Sequence, residues 1–434
     1  MKNDLIKGYL VDTLKVPVTW GRILSAMFLV AGTCIGGGML ALPVATGISG
    51  FFPSTVVMLI CWLGMTLSAL FLLEVNLWLK EGAHIITMSS TMLGPIGKYV
   101  SWILYLFISY ASIVAYTAAG GSLVVNGASS LFAWNISQEI GCLIFIVTFG
   151  GIIYLGNRIV GRVNTILFIA MIGAYLALVT VGMHEIKRDL LTHRHWPTSL
   201  LAIPLLLTSF SFQTMMPSLT PYLNRQPSAL RIAIIGGSTI ALVVYLIWQS
   251  LALGVVPVHG PSSLLEALEK GEPVTQYLRV HVASPWVAIL AEYFAFFALV
   301  TSFLGMALGL FDFLSDGLKI PNRGKGKVLL SLIIVIPTFI FAAYFERVFI
   351  TALDTSGGFG DSILNGIMPV LMVWVGRYWW KFPTENRVFG GKPLLIAVLT
   401  FFIFALALET LIHTGYICSI FGKCKEYQQQ IQGL

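Results

Sequence analysis

The chain has 434 residues, 57% of them hydrophobic and only 10% charged, with a mean hydropathy of +0.87. Soluble domains carry about 25% charged residues, so this composition excludes the soluble globular classes and specifies an all-α polytopic membrane protein. The formal charge of +7 is a matter of loop asymmetry, not of nucleic-acid binding.

Eleven apolar spans are legible in order. The first runs from about Arg22 to Ile48, too long for a signal-peptide core, and contains Gly32-Thr-Cys-Ile-Gly-Gly-Gly-Met-Leu-Ala-Leu-Pro43. Glycine costs roughly 1 kcal/mol against alanine in a helix interior and proline about 3, so this stretch predicts a helix broken inside the bilayer. The second span is about Thr55–Leu79, the third Tyr99–Val125, the fourth Glu139–Leu155 and the fifth Val163–Met183. A charged loop, Glu185–His195, precedes the sixth, about Ser199–Leu223, which is interrupted at Ser209-Phe-Ser-Phe-Gln-Thr-Met-Met-Pro217. The seventh is about Arg231–Val256. The polar segment Val258–Ala283 is expected to hold short surface helices. The eighth to eleventh spans follow at about Pro285–Leu314, Val328–Tyr344, Asp361–Trp379 and Pro393–His413.

With the N-terminus in the cytoplasm, 18 of the 26 Lys and Arg fall on the inner side and 8 on the outer. That bias orients the chain N-in, and eleven spans then place the C-terminus outside. Cys418 and Cys424 would meet an oxidising compartment, where they could pair or stay free.

The first and sixth spans are five apart and so cross in opposite senses. Each carries a Gly/Ser/Thr-rich break with proline just beyond it. This pattern predicts two inverted five-helix repeats with a site between them. The expected organisation is a 1–20 cytoplasmic segment, a 21–183 first repeat, a 184–198 external loop, a 199–379 second repeat, a 380–415 eleventh helix and a 416–434 external tail.

Three segments carry a resemblance. Ala31–Pro43 looks like the first-span motif of the bacterial hydroxy/aromatic amino acid permeases, the tyrosine- and tryptophan-specific carriers. Leu72-Leu-Glu-Val75 resembles the end of their second span. Leu299-Val-Thr-Ser-Phe-Leu-Gly-Met-Ala-Leu-Gly-Leu-Phe-Asp-Phe-Leu-Ser-Asp316 is similar to their eighth. The resemblance implies a leucine-transporter-like fold, proton-driven import of an aromatic amino acid with tyrosine favoured over tryptophan, and the inner membrane as location. A sodium-coupled carrier of a neutral amino acid and a non-transporting sensor on the same fold are the alternatives.

An amino acid zwitterion needs both charges matched. A helix restarting near Gly36, Gly37, Gly38 and Met39 offers N–H groups and a positive dipole end to the carboxylate. Carbonyls at Ala31–Thr33 and in the Thr208–Ser211 turn offer the opposite sign, which makes Gly32, Thr33, Cys34 and Ile35 of the first break and Ser209 and Ser211 of the second binding candidates. Phe210, Phe212, Gln213 and Tyr110 are candidates for a ring pocket.

For ion coupling, Glu74 lies six residues before Lys80, roughly 9 Å along the axis. It is either a proton carrier or a structural carboxylate paired to another helix. Glu292 is a second candidate, while Glu409 reads as peripheral. Thr301 and Ser302 match in position the sodium site of leucine-transporter-like carriers; the plain alternative is hydroxyls bonded to the preceding turn. No Gly-x-x-x-x-Gly-Lys-Ser/Thr loop and no His-Glu-x-x-His helix occurs, so neither a nucleotide nor a metal cofactor is expected. The expected partners are the amino acid, its coupling ion and membrane lipid.

Overall fold

The computed structural model describes residues 18–414 apart from 82, 156, 283, 322, 346 and 383–386. Cys418 and Cys424 lie outside the described residues. Among the described residues nine helices are long and apolar enough to cross a membrane. The pair Trp20–Cys34 and Gly37–Ser49, bent by 56°, makes a tenth span, and the shorter apolar helix Gln138–Tyr154 stands where the fourth is expected. The chain is a multi-pass membrane protein.

The first span is helix α1 (Trp20–Cys34) followed by α2 (Gly37–Thr46). Ile35 and Gly36 between them are extended, with φ/ψ of −74°/98° and −164°/−154°. That backbone is open to any residue; what demands glycine is space. A Cβ on Gly36 would sit 2.1 Å from Ser302 Oγ, and one on Gly37 2.5 Å from the Tyr116 ring. Pro43 inside α2 supplies no N–H to Met39 O, four residues back. The indole N–H of Trp248 donates to that carbonyl instead, at 2.9 Å.

Helix α3 (Phe51–Trp78) is the second span and α4 (Ile85–Phe132) the third. α4 is two helices meeting at a kink: Gly94, at φ +73° and ψ −160°, breaks the helical backbone before Pro95, so a helix already precedes the expected Tyr99. α5 (Gln138–Leu155) and α6 (Asn157–Gly182) follow.

The sixth span enters through a turn at Trp196–Ser199 and Leu200–Ala202. It runs as α7 (Ile203–Ser209), opens at Phe210–Phe212, passes a short turn at Gln213–Met215 and resumes as α8 (Met216–Tyr222). α9 (Pro227–Val255) is the seventh. The polar segment after it folds into α10 (Leu264–Lys270) and α11 (Val274–His281). Leu264 of α10 packs on Gly47, closing the C-terminal end of the first span. Lys270, 2.6 Å from Glu266, holds that half-buried carboxyl below its ordinary range.

α12 (Pro285–Leu318) and α13 (Gly324–Tyr344) are the eighth and ninth spans. α14 (Val348–Trp379) and α15 (Gly391–His413) are the last two. α14 begins 13 residues before the expected Asp361, and two stretches of it, Ser356–Ile367 and Val375–Trp379, are wide π-helical turns.

Candidate functional site

The two breaks are tied together by one side chain. Tyr245 of α9 places its hydroxyl 2.5 Å from Cys34 O and 2.7 Å from Ser209 O. A phenol has one proton, so the two carbonyls share it. Both are carbonyls that a continuous helix would have satisfied internally. Tyr245 is fully buried, with the Phe210 ring 5.0 Å from its own.

Around the restart of the first span, Gly37 N–H donates to Ser302 Oγ at 2.9 Å. Tyr116 of α4 and Leu299 of α12 pack on Gly37, and Ser209 of α7 lies beside Gly38. Gly36 and Gly38 N–H groups find no acceptor in the described chain. Amides freed at a helix start, in a place that broken backbone occupies only when protein or a wet cavity surrounds it, form a ready anion receptor.

The sixth-span break has its own polar cluster. Ser211 Oγ donates to Asp361 Oδ1 at 2.6 Å, and Asn365 Nδ2 donates to Asp361 Oδ1 at 2.6 Å and to Ser211 Oγ at 3.0 Å. Asp361 is fully buried and its Oδ2 has no hydrogen-bond partner.

The two broken spans are unevenly covered. Every residue from Gly36 to Gly50 is buried. On the other side of the breaks Thr33, Thr214 and Ser218 are exposed, and Thr33 Oγ1 contacts Met215 Sδ across them. In this conformation packing shuts the α10 side of the breaks and leaves the α1 and α8 side uncovered. A separate cavity of about 390 Å³, lined by Ser122, Gln138, Lys270, Glu272 and Arg347, lies on the shut side, and no residue expected for the site lines it.

Of the sequence-predicted residues, Gly32 to Met39 and Ser209 to Gln213 converge on the two breaks. Gly32 packs against the Phe168 ring. Phe210 and Phe212 are fully buried. Gln213 turns inward, accepting from Phe212 N–H at 2.9 Å and donating to Met65 O at 3.2 Å.

Tyr110 stands apart from the breaks. Its hydroxyl donates at 2.9 Å to Ile333 O, the carbonyl that Pro337 leaves without an amide donor in α13. Its contact is with a proline gap, the same task that Trp248 performs for Pro43.

Glu74 meets the structural one of its two readings. Arg377 donates to it through Nε at 2.7 Å and Nη2 at 2.5 Å, Val388 N–H adds a third bond at 3.0 Å, and both side chains are about 2% exposed or less. Glu292 lies on the surface, 3.2 Å from Arg279. Thr301 donates to Phe297 O at 2.8 Å, bonded to its own preceding turn, while Ser302 faces the first-span break. Glu409 is not peripheral: it is wholly buried against α14.

Tyr116, Tyr245, Trp248, Asp361 and Asn365 escaped the sequence reading. An acid inside an apolar span is a functional signal by default. Asp361 lost that signal because the tenth span was drawn to start on it.

Two broken spans tied together at mid-molecule through Tyr245 are the architecture of membrane carriers built on discontinuous helices. The chain belongs to the tryptophan/tyrosine permease family, whose model matches residues 20–409. It is 31% identical over 407 residues to the tyrosine-specific transport system 1 of Haemophilus influenzae, covering 92% of this chain and 100% of that one. It is 28% identical over 416 residues to the tryptophan-specific transport protein of the same organism, covering 92% and 98%. The crystal structure of MhsT in complex with L-phenylalanine superposes with a TM-score of 0.63 at 13% identity, over 91% of this chain and 98% of that one. The fold is thus the leucine-transporter-like one, and the chain is a permease, not an enzyme.

Proposed function

We propose that this permease imports an aromatic amino acid, tyrosine ahead of tryptophan, together with protons, by alternating access across a bacterial inner membrane. The observation that carries the reading is the Tyr245 hydroxyl held between Cys34 O and Ser209 O. That hydroxyl brings main-chain groups of both signs close together, the free amides of the first-span restart and the carbonyls of the sixth-span turn, as a zwitterion requires. The carboxylate goes to the unpartnered amides at Gly36 and Gly38, and the ammonium to the carbonyls of the sixth-span turn. The ring lies among the apolar walls that Phe210, Tyr116 and Leu299 help to form. The names of the relatives, tyrosine- and tryptophan-specific, agree with a ring-bearing cargo.

Proton coupling is favoured over sodium by Ser302 of α12. Its oxygen accepts from Gly37 N–H and so is spent on the first-span break, whereas Thr301 gives only its proton to Phe297 O. The two five-helix units, 21–183 and 199–379, are read as inverted repeats that rock about the breaks, with the N-terminus cytoplasmic. Uptake of labelled tyrosine into vesicles, under an imposed pH gradient with and without sodium, tests this. Accumulation that follows the pH gradient and ignores sodium is the expected result; accumulation that needs sodium overturns the coupling, and a failure of tyrosine and tryptophan to compete overturns the substrate class.

A further inference from the structure

α14 carries the run Ser356-Gly-Gly-Phe-Gly-Asp361 in its wide π-helical stretch. Each glycine lets another element reach the helix axis. A Cβ on Gly357 would meet Pro204 O at 1.8 Å, and one on Gly360 would meet Ile108 at 2.5 Å. One on Gly358 would lie 2.3 Å and 2.4 Å from Cγ and Cδ of Glu409. The Glu409 carboxyl is therefore laid across the α14 backbone, three residues from Asp361 and four from Asp354.

Glu409 is 0% exposed, and neither of its oxygens has a hydrogen-bond partner. Asp354 is 2% exposed, lies within electrostatic reach of Glu409 and leaves Oδ1 unpartnered. One turn outward on α15, His413 Nδ1 stands 3.2 Å from Glu409 Oε1, and the His413 side chain is 41% exposed. Inward, Asp361 holds Ser211 at the sixth-span break.

The ionisable groups facing these acids from neighbouring elements are few. α4 contributes Tyr116 beside Asp361, and α15 contributes His413 beside Glu409; Glu74 of α3 is taken by Arg377 further along α14. Arg347, at the start of α14, donates to Leu268 O. Burying an ionised carboxylate with no cation costs several kcal/mol, which a bound proton removes.

We propose that His413, Glu409, Asp354 and Asp361 form the route by which the coupled proton travels from the outer face to the sixth-span break, with Asp361 holding it there. The proposal rests on the proton-coupled reading above. It joins two things that reading leaves separate: an entry point at the shut outer side, where the amino acid has no path, and a proton-binding group in contact with the break. When Asp361 gives up its proton it accepts more strongly from Ser211 and Asn365, so proton occupancy and the position of the break are linked.

The test uses purified protein in proteoliposomes, with two readouts: accumulation of labelled tyrosine driven by an acid-outside gradient, and exchange of labelled for unlabelled tyrosine at equal pH. Wild type should accumulate tyrosine and move protons with it; if it exchanges tyrosine but moves no protons, the proton-coupled reading itself fails, before any variant is consulted. Given that, E409Q, D354N and D361N should each lower the ratio of accumulation to exchange at least tenfold, and E409D should recover part of it. The three changes are near-isosteric and sit at separate points, with folding read from the gel-filtration profile, so a misfolded one leaves the others to decide. Gradient-driven accumulation at the wild-type ratio in any folded variant overturns the route.

Discussion

Replacing Tyr245 with Phe removes one hydroxyl and almost no volume. The ring keeps its contact with Phe210, 5.0 Å away, so no cavity opens. What goes is the single proton shared by Cys34 O and Ser209 O, at 2.5 and 2.7 Å. A neutral hydrogen bond contributes about 1 kcal/mol net, and a buried carbonyl left without a donor costs about 1–3 kcal/mol. The second figure applies here, because Tyr245 is fully buried and water does not replace it. Melting temperature shifts by about 2–4 °C per kcal/mol in chains of 150–250 residues, and by less in a longer one, so Y245F should lower it by a few degrees. The function should suffer more than the stability, since the lost bond holds the two breaks in register. A loss of about 1.4–2.8 kcal/mol in that alignment is a 10- to 100-fold fall in uptake efficiency. Thermal unfolding in detergent and initial rates of labelled-tyrosine uptake, normalised to folded protein, measure both. Wild-type uptake by a folded Y245F protein would refute the idea that this hydroxyl sets the site.

Tyr110→Phe is the matched comparison: it removes the same group from the same kind of carbonyl, Ile333 O, and should cost about 1–3 kcal/mol of stability while uptake per folded molecule keeps its KM. Gly37→Val puts a branched side chain where even a Cβ would be 2.5 Å from Tyr116, and should abolish uptake with insertion intact; appreciable transport would argue against main-chain recognition at this turn. Gly36→Ala should impair transport by pushing Ser302 off its bond to Gly37 N–H, and Ser302→Ala in the same molecule should relieve part of the defect, as a double-mutant cycle on uptake would reveal. Glu74→Gln breaks a buried pair and should cost about 3–5 kcal/mol, seen as little folded protein in the membrane, with partial recovery when Arg377 is also made Gln. A fully folded E74Q that fails only in gradient-driven accumulation would instead put Glu74 on the proton route.

The spans and the two breaks were legible because their signals are local. Apolar length marks a crossing, and Gly36-Gly-Gly38 or Ser209-Phe-Ser211 cannot continue a helix cheaply. Partners across the fold were not legible. Tyr110 and Tyr245 look alike in sequence, each an aromatic in mid-span; only the packing shows one under Pro337 and the other between the breaks. Glu74 resembled a lone intramembrane acid because Arg377 is 303 residues away. Asp361 and Glu409 were misplaced for a third reason. Asp361 fell on the first residue of the expected tenth span and Glu409 near the end of the last, whereas α14 carries on through its glycines as a wide coil and buries Glu409 against itself.

The proline gaps at Pro43 and Pro337 have a bearing on protein engineering. Met39 O draws its donor from Trp248, and Ile333 O from Tyr110, on helices remote in the chain. Swapping either proline for alanine to straighten and stiffen the helix would hand the carbonyl an amide and strand the aromatic donor. A helix-interior proline costs about 3 kcal/mol and a stranded buried donor about 1–3 kcal/mol, so much of the gain is kept only when proline and aromatic are changed as a couple.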